Sequence, residues 1–482
     1  MTMMARVRNF FGTQDMTVGK PMTGLLKFSI PLLIGNLAQQ LYSTVDSIVV
    51  SKYIGLSALA SVGAAGPILN LLLVLFMGIS TGASILSAQY YGAKDRPALN
   101  RVVGSSIFLI IVSGVLMTLI GYFASPLLIS LVEPEPEVLA EFPNVMKDAT
   151  AYLQIIFIGI LGGGLYNIIS GVLRGLGDSV YPLIFLVIST LINIALDILF
   201  VSQFDMGVAG VAWATIIAQA ISGVLCLVRL CRMRNVCDVR IRHIVNPNKS
   251  LTIKLCMLGL PAGITQAIFS MSAIVVSKLT NSIGVAMMAA NTAIMRVDGY
   301  AMMPNFTFGT AATTYVGQNI GARKGDRLKT GRSALLRLAL ISSCILVGCI
   351  LVFGELLLGL FIDDPNPQKV EEALALAKQG LQTLALGYIC FSVTQVLQGA
   401  MRGAGETFVP MVISIVTTVI VRMPLAYLLA ALTKSEEWPN GAPESIFLSL
   451  LISWVLGMVL SIIAYRLKWW RKKLPEELRH SL

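Results

Sequence analysis

Apolar residues in this chain come in long unbroken runs rather than in alternation, and short polar stretches separate one run from the next. Ile107–Ile120, Ile341–Phe353 and Phe408–Val421 are such runs, and each lies inside a window near the roughly 20 residues a helix needs to cross a bilayer. Hydropathy along the whole chain predicts twelve spans, at 25–50, 59–88, 102–124, 148–173, 179–201, 207–230, 252–279, 285–316, 333–360, 373–401, 407–432 and 445–467. Continuous rather than alternating hydrophobicity excludes a membrane β-barrel. Several spans exceed the minimum length, which implies tilt or ends that project into water. Pro67, Gly162–Gly164, Pro304 and Pro424 fall inside spans, where they mark bends and close helix contacts.

The pattern is written twice. Gly171-Val172-Leu173-Arg174-Gly175-Leu176-Gly177-Asp178, closed by Pro182, returns as Gly399-Ala400-Met401-Arg402-Gly403-Ala404-Gly405-Glu406, closed by Pro410. Pro31 answers to Pro261, and Gln89 with Gly92-Ala93 answers to Gln318 with Gly321-Ala322, at nearly the same separation. A duplicated, membrane-embedded chain is the signature of a transporter with its site between similar halves. The expected fold is all-α and integral to the membrane: twelve transmembrane helices in two six-helix lobes related by a pseudo-twofold along the membrane normal. The expected divisions are a cytoplasmic segment 1–24, an N-terminal lobe 25–230 (spans 1–6), a cytoplasmic linker 231–251, a C-terminal lobe 252–467 (spans 7–12) and a basic tail 468–482.

Composition agrees, with 56% hydrophobic and 13% charged residues against about 45–50% and about 25% in soluble domains. The net charge of +11 is distributed by side. With the N-terminus in the cytoplasm, most lysines and arginines fall in cytoplasmic segments, and the outer side receives only Lys52, Lys147, Lys369, Lys378 and Lys434. Outer loops are acidic instead, as at Glu133, Glu135, Glu137 and Glu141. This is the positive-inside arrangement. It accounts for the basic charge by topology and contact with anionic lipid, not nucleic acid. A bacterial plasma (inner) membrane protein with both termini cytoplasmic is expected. No cleavable signal is predicted at the polar N-terminus, and the seven cysteines, without CxxC pairs or nearby histidine ligands, read as reduced structural thiols.

Charges inside spans are costly and ask for a function. Asp46 lies in the outer third of span 1. Asp197 lies in the outer third of span 5, four residues after Asn193, so both project from one helix face. Thr215 in span 6 is about 12 Å from that span's outer end. Two carboxylates, a carboxamide and a hydroxyl at one depth suit a hard cation such as Na⁺, or a shared proton. The second half does not copy this set. It carries Arg296 and Asp298 in span 8 and Arg422 in span 11, either as a structural Asp298–Arg422 ion pair or as cavity groups for a polar or anionic part of a substrate. No GxxxxGK[ST] phosphate loop occurs, and the two histidines, His243 and His480, are cytoplasmic in this reading. ATP-driven transport, intramembrane histidine–metal chemistry and a Ser-His-acid hydrolase are therefore not expected. No enzyme activity and no cofactor are expected.

Pro31, Leu41-Tyr42, Asp46, then Gln89 with Gly92-Ala93, the repeated Arg-Gly-x-Gly-acid turn and Gly207-Val208-Ala209-Gly210-Val211-Ala212-Trp213-Ala214-Thr215 together resemble the multidrug and toxic compound extrusion (MATE) family from about Leu25 to Arg466. The resemblance implies alternating access and export of drugs, toxins or metabolites driven by Na⁺ or H⁺. It also implies a cation site in the N-terminal lobe at Asp46, Asn193, Asp197 and Thr215. Some members carry a second cation site on acids of spans 7 and 10. Here those spans offer Gln266, Ser270, Thr394, Gln395 and Gln398 without a carboxylate, so coupling is expected in the N-terminal lobe alone. Tyr42, Phe76, Met77, Tyr166, Met303 and Phe306, with Arg296, Asp298 and Arg422, are the expected cavity residues for a small amphipathic or cationic substrate, and Pro31 and Gly35 are the expected hinge. A monomer is expected. The competing class is a flippase for a lipid or lipid-linked glycan of the wider superfamily, which Arg296 and Arg422 favour and the acidic N-lobe set opposes.

Overall fold

The computed structural model describes residues 12–53, 56–130, 144–362, 366–436, 438–467 and 469–479, without the side chains of 41–53, 56–60, 64, 67, 71, 72, 469 and 472. All regular secondary structure among these residues is helical. In order it forms α1 (Pro21–Tyr53), α2 (Leu56–Gly92), α3 (Arg96–Ser130), α4 (Val145–Gly175), α5 (Val180–Ser202) and α6 (Gly207–Arg232). After a short linker containing one helical turn, Ile241–Val245, come α7 (Lys249–Ile283), α8a (Val285–Ala301), α8b (Met303–Gly321), α9 (Gly325–Gly359) and α10 (Pro367–Gly403). The next helix, α11, runs as Phe408–Ser414, a π-helical Ile415–Arg422 and Met423–Leu432, and α12 spans Glu444–Arg466. Eleven helices among the described residues are long and apolar enough to cross a membrane. Inside a bilayer the helix satisfies every backbone N–H and C=O within one segment.

Two features differ from the hydropathy reading. Helices outrun their apolar windows: 102–124 becomes Arg96–Ser130 and 25–50 becomes Pro21–Tyr53. Hydropathy ends where side chains turn polar, but the hydrogen-bond ladder continues into water. The expected continuous span 285–316 is two helices, interrupted at Met302. Pro304 in the first turn of α8b has no N–H to donate, and its ring crowds the carbonyl four residues before it. Met302 keeps near-helical angles (φ −81°, ψ −17°), so the break is a kink rather than an unwound segment.

The duplication is visible in the backbone. Gly177 and Gly405 take φ of +86° and +87°, and Lys94 and Arg323 take +56° and +57°. Each is the left-handed residue of a Schellman cap. Asp178 N–H donates to Leu173 O and Gly177 N–H to Arg174 O, matched by Glu406 to Met401 and Gly405 to Arg402. The acid at the end of the motif caps the next helix. Asp178 Oδ1 accepts from Tyr181 N–H (3.2 Å), and Glu406 Oε1 accepts from Phe408 and Val409 N–H (both 3.1 Å). The motif's first glycine allows close packing: a Cβ on Gly171 would lie 2.3 Å from Ser80 Oγ, and one on Gly399 would lie 2.2 Å from Gly309 O.

The chain divides into two compact units, 1–15 with 30–263, and 16–29 with 264–482. In the first, α4 is central, packing on α2, α3 and α6, while α5 packs on α6. Phe76, Leu153, Phe157, Ile168 and Val172 belong to its core. In the second, α10 is central, packing on α8a, α8b, α9 and α12 around Ile294, Leu381, Tyr388 and Phe447. The divisions fall inside α1 and α7, close to the equivalent Pro31 and Pro261. None of the seven cysteines is disulfide-bonded. Burial pushes the Cys237 thiol in the linker up to about 12, which keeps it protonated and unreactive.

Candidate functional site

Helix α5 is apolar on the outside and polar within. Leu191 is 63% exposed, and Ile188 and Leu199 are also exposed. Ser189, Asn193 and Asp197, spaced by four, form one buried stripe, with Asp197 at 0% exposure. A helix of this hydropathy turns its apolar side chains to lipid and its polar ones inward. Ser189 Oγ donates to Ala218 O of α6 at 2.7 Å, which fixes α5 against α6. Thr215 is partly buried one turn earlier on α6. Gly35 of α1 faces Leu183 of α5, whose Cδ1 lies 3.3 Å from where a Cβ would be. The stripe therefore lies on a helix that contacts both α1 and α6. The side chains of Tyr42 and Asp46 lie outside the described residues. Ser189 is the member that reading the chain for acids passes over; its signal was its place four residues before Asn193.

The remaining predicted cavity residues separate. Phe76 is buried in the first unit against Gly164, where a Cβ would meet its ring at 2.9 Å. Met77, its neighbour, is exposed. Tyr166 donates its hydroxyl to Pro182 O at 3.3 Å. In the second unit Arg296 is exposed and Met303 is buried. Asp298, Phe306 and Arg422 come together, lining a cavity of about 350 Å³.

Asp298 and Arg422 do not form an ion pair. The partner of Asp298 is Tyr388 of α10, whose hydroxyl donates to Asp298 Oδ1, a residue the sequence did not single out. Arg422 ends the π-helical stretch of α11, and its Nε is shielded from solvent with no hydrogen-bond partner among the described residues. The arginines of the repeated motif also turn inward. Arg174 Nη2 donates to Ser80 Oγ and so links α4 to α2, whereas Arg402 Nη2 donates to Gln395 Oε1 within α10, both at 3.4 Å. No cluster of His, Cys, Asp and Glu suited to a metal is found among the described residues.

The MatE family model matches residues 31–199 and again 261–428. The probable multidrug resistance protein YoeA of Bacillus subtilis is 32% identical over 435 residues, covering 88% of this chain and 91% of that protein. The probable multidrug resistance protein NorM of Thermotoga maritima is 26% identical, covering 91% of this chain and 89% of that one. A solved structure described as the outward-facing conformation of a multidrug resistance MATE family transporter superposes with a TM-score of 0.84 at 23% identity, covering 95% of this chain and 97% of the other. That likeness supports the twelve-helix fold. With two family matches aligned on the two halves of the repeat, the chain belongs to the MatE family, the multidrug efflux transporters of the membrane, and is not an enzyme.

Proposed function

We propose that the chain is a secondary active antiporter that exports drugs, toxins or metabolites in exchange for Na⁺ or H⁺ by alternating access, with its coupling cation at Asp46, Asn193, Asp197 and Thr215. The observation that carries this reading is the buried Ser189–Asn193–Asp197 stripe of α5. A carboxylate buried within a membrane span is costly, and an arriving cation or proton offsets the cost. The cation enters from the outer side, where acidic loops draw it, and binds Asp197 together with Asp46. Neutralising these groups changes how α1 packs on α5 and α6, with Pro31 and Gly35 as the bend. Pro31 lies inside α1, where it removes one helical hydrogen bond. Cation and substrate then favour opposite conformations, the condition for exchange.

The substrate is a small amphipathic or cationic molecule, bound among apolar and aromatic side chains that adapt to different shapes. Both termini face the cytoplasm, the protein acts as a monomer in the bacterial inner membrane, and the coupling ion is its only cofactor. The test is export of a fluorescent cationic dye from vesicles under an imposed Na⁺ gradient and, separately, a pH gradient. Wild type exports under one of the two, which names the ion. Asp197→Asn and Asp46→Asn, each present at wild-type level and monodisperse, lose that export by tenfold or more. Export undiminished in both variants refutes the N-lobe site. A wild type that moves no dye under either gradient, yet scrambles labelled lipid, replaces the antiporter with the flippase.

A further inference from the structure

The second unit contains a cavity lined by one basic and one acidic side chain, Arg422 and Asp298, which attract each other without direct contact. Asp298 is satisfied by the Tyr388 hydroxyl, whereas the Arg422 Nε donor has no acceptor among the described residues and no access to water. The shielded donor is Nε alone; Arg422 as a whole is partly exposed where it lines the cavity, and a charge-assisted acceptor there would offset part of the cost of holding it. Its position depends on a special backbone. The eight residues Ile415–Arg422 are π-helical, and each π turn admits an extra residue that rotates the later turns around the helix axis. π turns inside α-helices are frequent at functional sites. The cavity lining also includes aromatic rings: Phe306 stacks edge-on with Phe391 at 5.7 Å, and Phe391 packs on Trp454 at 5.6 Å. Rings inclined to one another at 79° and 45° give the cavity apolar edges and faces against which an aromatic ligand can pack, in the same cavity that Arg422 lines.

We propose that this cavity of the second unit is a binding site for an aromatic anion, a flat apolar body bearing one carboxylate or sulfonate, with the acid group on Arg422 and the ring against Phe306, Phe391 and Trp454. Arginine suits the task because its planar fork matches a two-oxygen acid and it stays charged. The volume of about 350 Å³ falls at the small end of ordinary ligand pockets and fits a bicyclic acid. The Asp298–Tyr388 pair sets the limit of the site: it repels an acid group placed near it, so the ligand is held in one orientation. The site differs from the proposed cation site in residues and in charge preference, and does not depend on it.

The test is equilibrium binding to the full chain in lipid nanodiscs with no ion gradient, read by calorimetry, using naphthoate, neutral naphthylmethanol and naphthylmethylammonium. Wild type is expected to bind naphthoate about tenfold or more tighter than the neutral analogue, the scale of one charge-assisted hydrogen bond. Arg422→Gln brings naphthoate down to the affinity of the neutral analogue while leaving the latter unchanged, which shows that the pocket itself survives. Arg422→Lys, which keeps the charge but not the fork, retains part of the preference and serves if the glutamine variant does not fold. Naphthoate binding no tighter than the neutral analogue in wild type, equal binding in Arg422→Gln and wild type, or a preference for the ammonium overturns the proposal. Because no gradient is applied, failure here leaves the antiport reading to its own test.

Discussion

Arg229 and Asp178 show how a single pair of residues holds a turn that the sequence presents only as a motif. Asp178 has no solvent exposure and accepts from Arg229 Nε at 3.1 Å and Nη2 at 2.9 Å. The guanidinium also lies 3.7 Å from the centre of the Tyr181 ring. Removing the arginine leaves a buried carboxylate without its counter-ion, which typically costs about 3–5 kcal/mol. Arg229→Ala is expected to lower the thermal unfolding temperature in detergent, and Arg229→Ala with Asp178→Asn to recover part of the loss. No recovery in the double variant would show that the two residues act separately. Gly177→Ala is expected to destabilise as well, because its φ is +86° and a Cβ there would lie 2.0 Å from Gln14 O. The spacing of glycines and acid in this motif was legible as a turn, but the direction of Arg174 was not. It reaches Ser80 of α2, since a motif records residue types and not which neighbouring helix stands within reach.

At the level of elements, hydropathy located the helices and missed what interrupts them. The kink between α8a and α8b follows from Pro304, a residue expected to mark a bend, whereas nothing in the apolar run around Ile415–Arg422 announces the π-helical stretch of α11. The segment leading into α1 is a further case, because its polar residues read simply as a cytoplasmic tail. Within the second unit it is pinned in detail. Met16, 1% exposed, donates its N–H to Gln318 Oε1 at 2.9 Å, and its carbonyl accepts from Asn319 Nδ2 at 3.1 Å and Arg327 Nη2 at 3.0 Å. Arg327 also donates to the carbonyls of Val18 and Gly19, and Lys324 Nζ donates to Thr17 O at 2.7 Å. Gln318, noticed in the sequence as a repeat landmark, is thus an anchor for the start of the chain. Arg327→Ala removes its bonds to Met16, Val18 and Gly19, so a cysteine placed at Met16 should change from protected to readily alkylated by a water-soluble maleimide. Unchanged protection would mean that Gln318 and Asn319 suffice.

Across the whole chain, duplication was the most legible property, because equal turns need equal backbone angles and the residues that permit them. The family match in two copies and the paired φ values express the same history. The candidate site was legible in part: Asn193 and Asp197 stood out as polar positions in an apolar span, but Tyr388, an ordinary aromatic in sequence, needed the fold to bring it to Asp298. Divergence between the halves gives the chain two unlike interiors, an acidic stripe on α5 and an arginine-bearing cavity beside α11. In the proposed antiport the coupling cation binds at the acidic one, and coupling between cation and substrate is reciprocal. The reverse reaction is therefore the decisive measurement. Proteoliposomes without an ion gradient receive an outward substrate gradient, and cation entry is followed with an internal Na⁺- or pH-sensitive dye. Antiport predicts substrate-dependent entry of one of the two ions in wild type and none in Asp197→Asn. Substrate leaving without cation entry, or equal entry in the variant, would refute it.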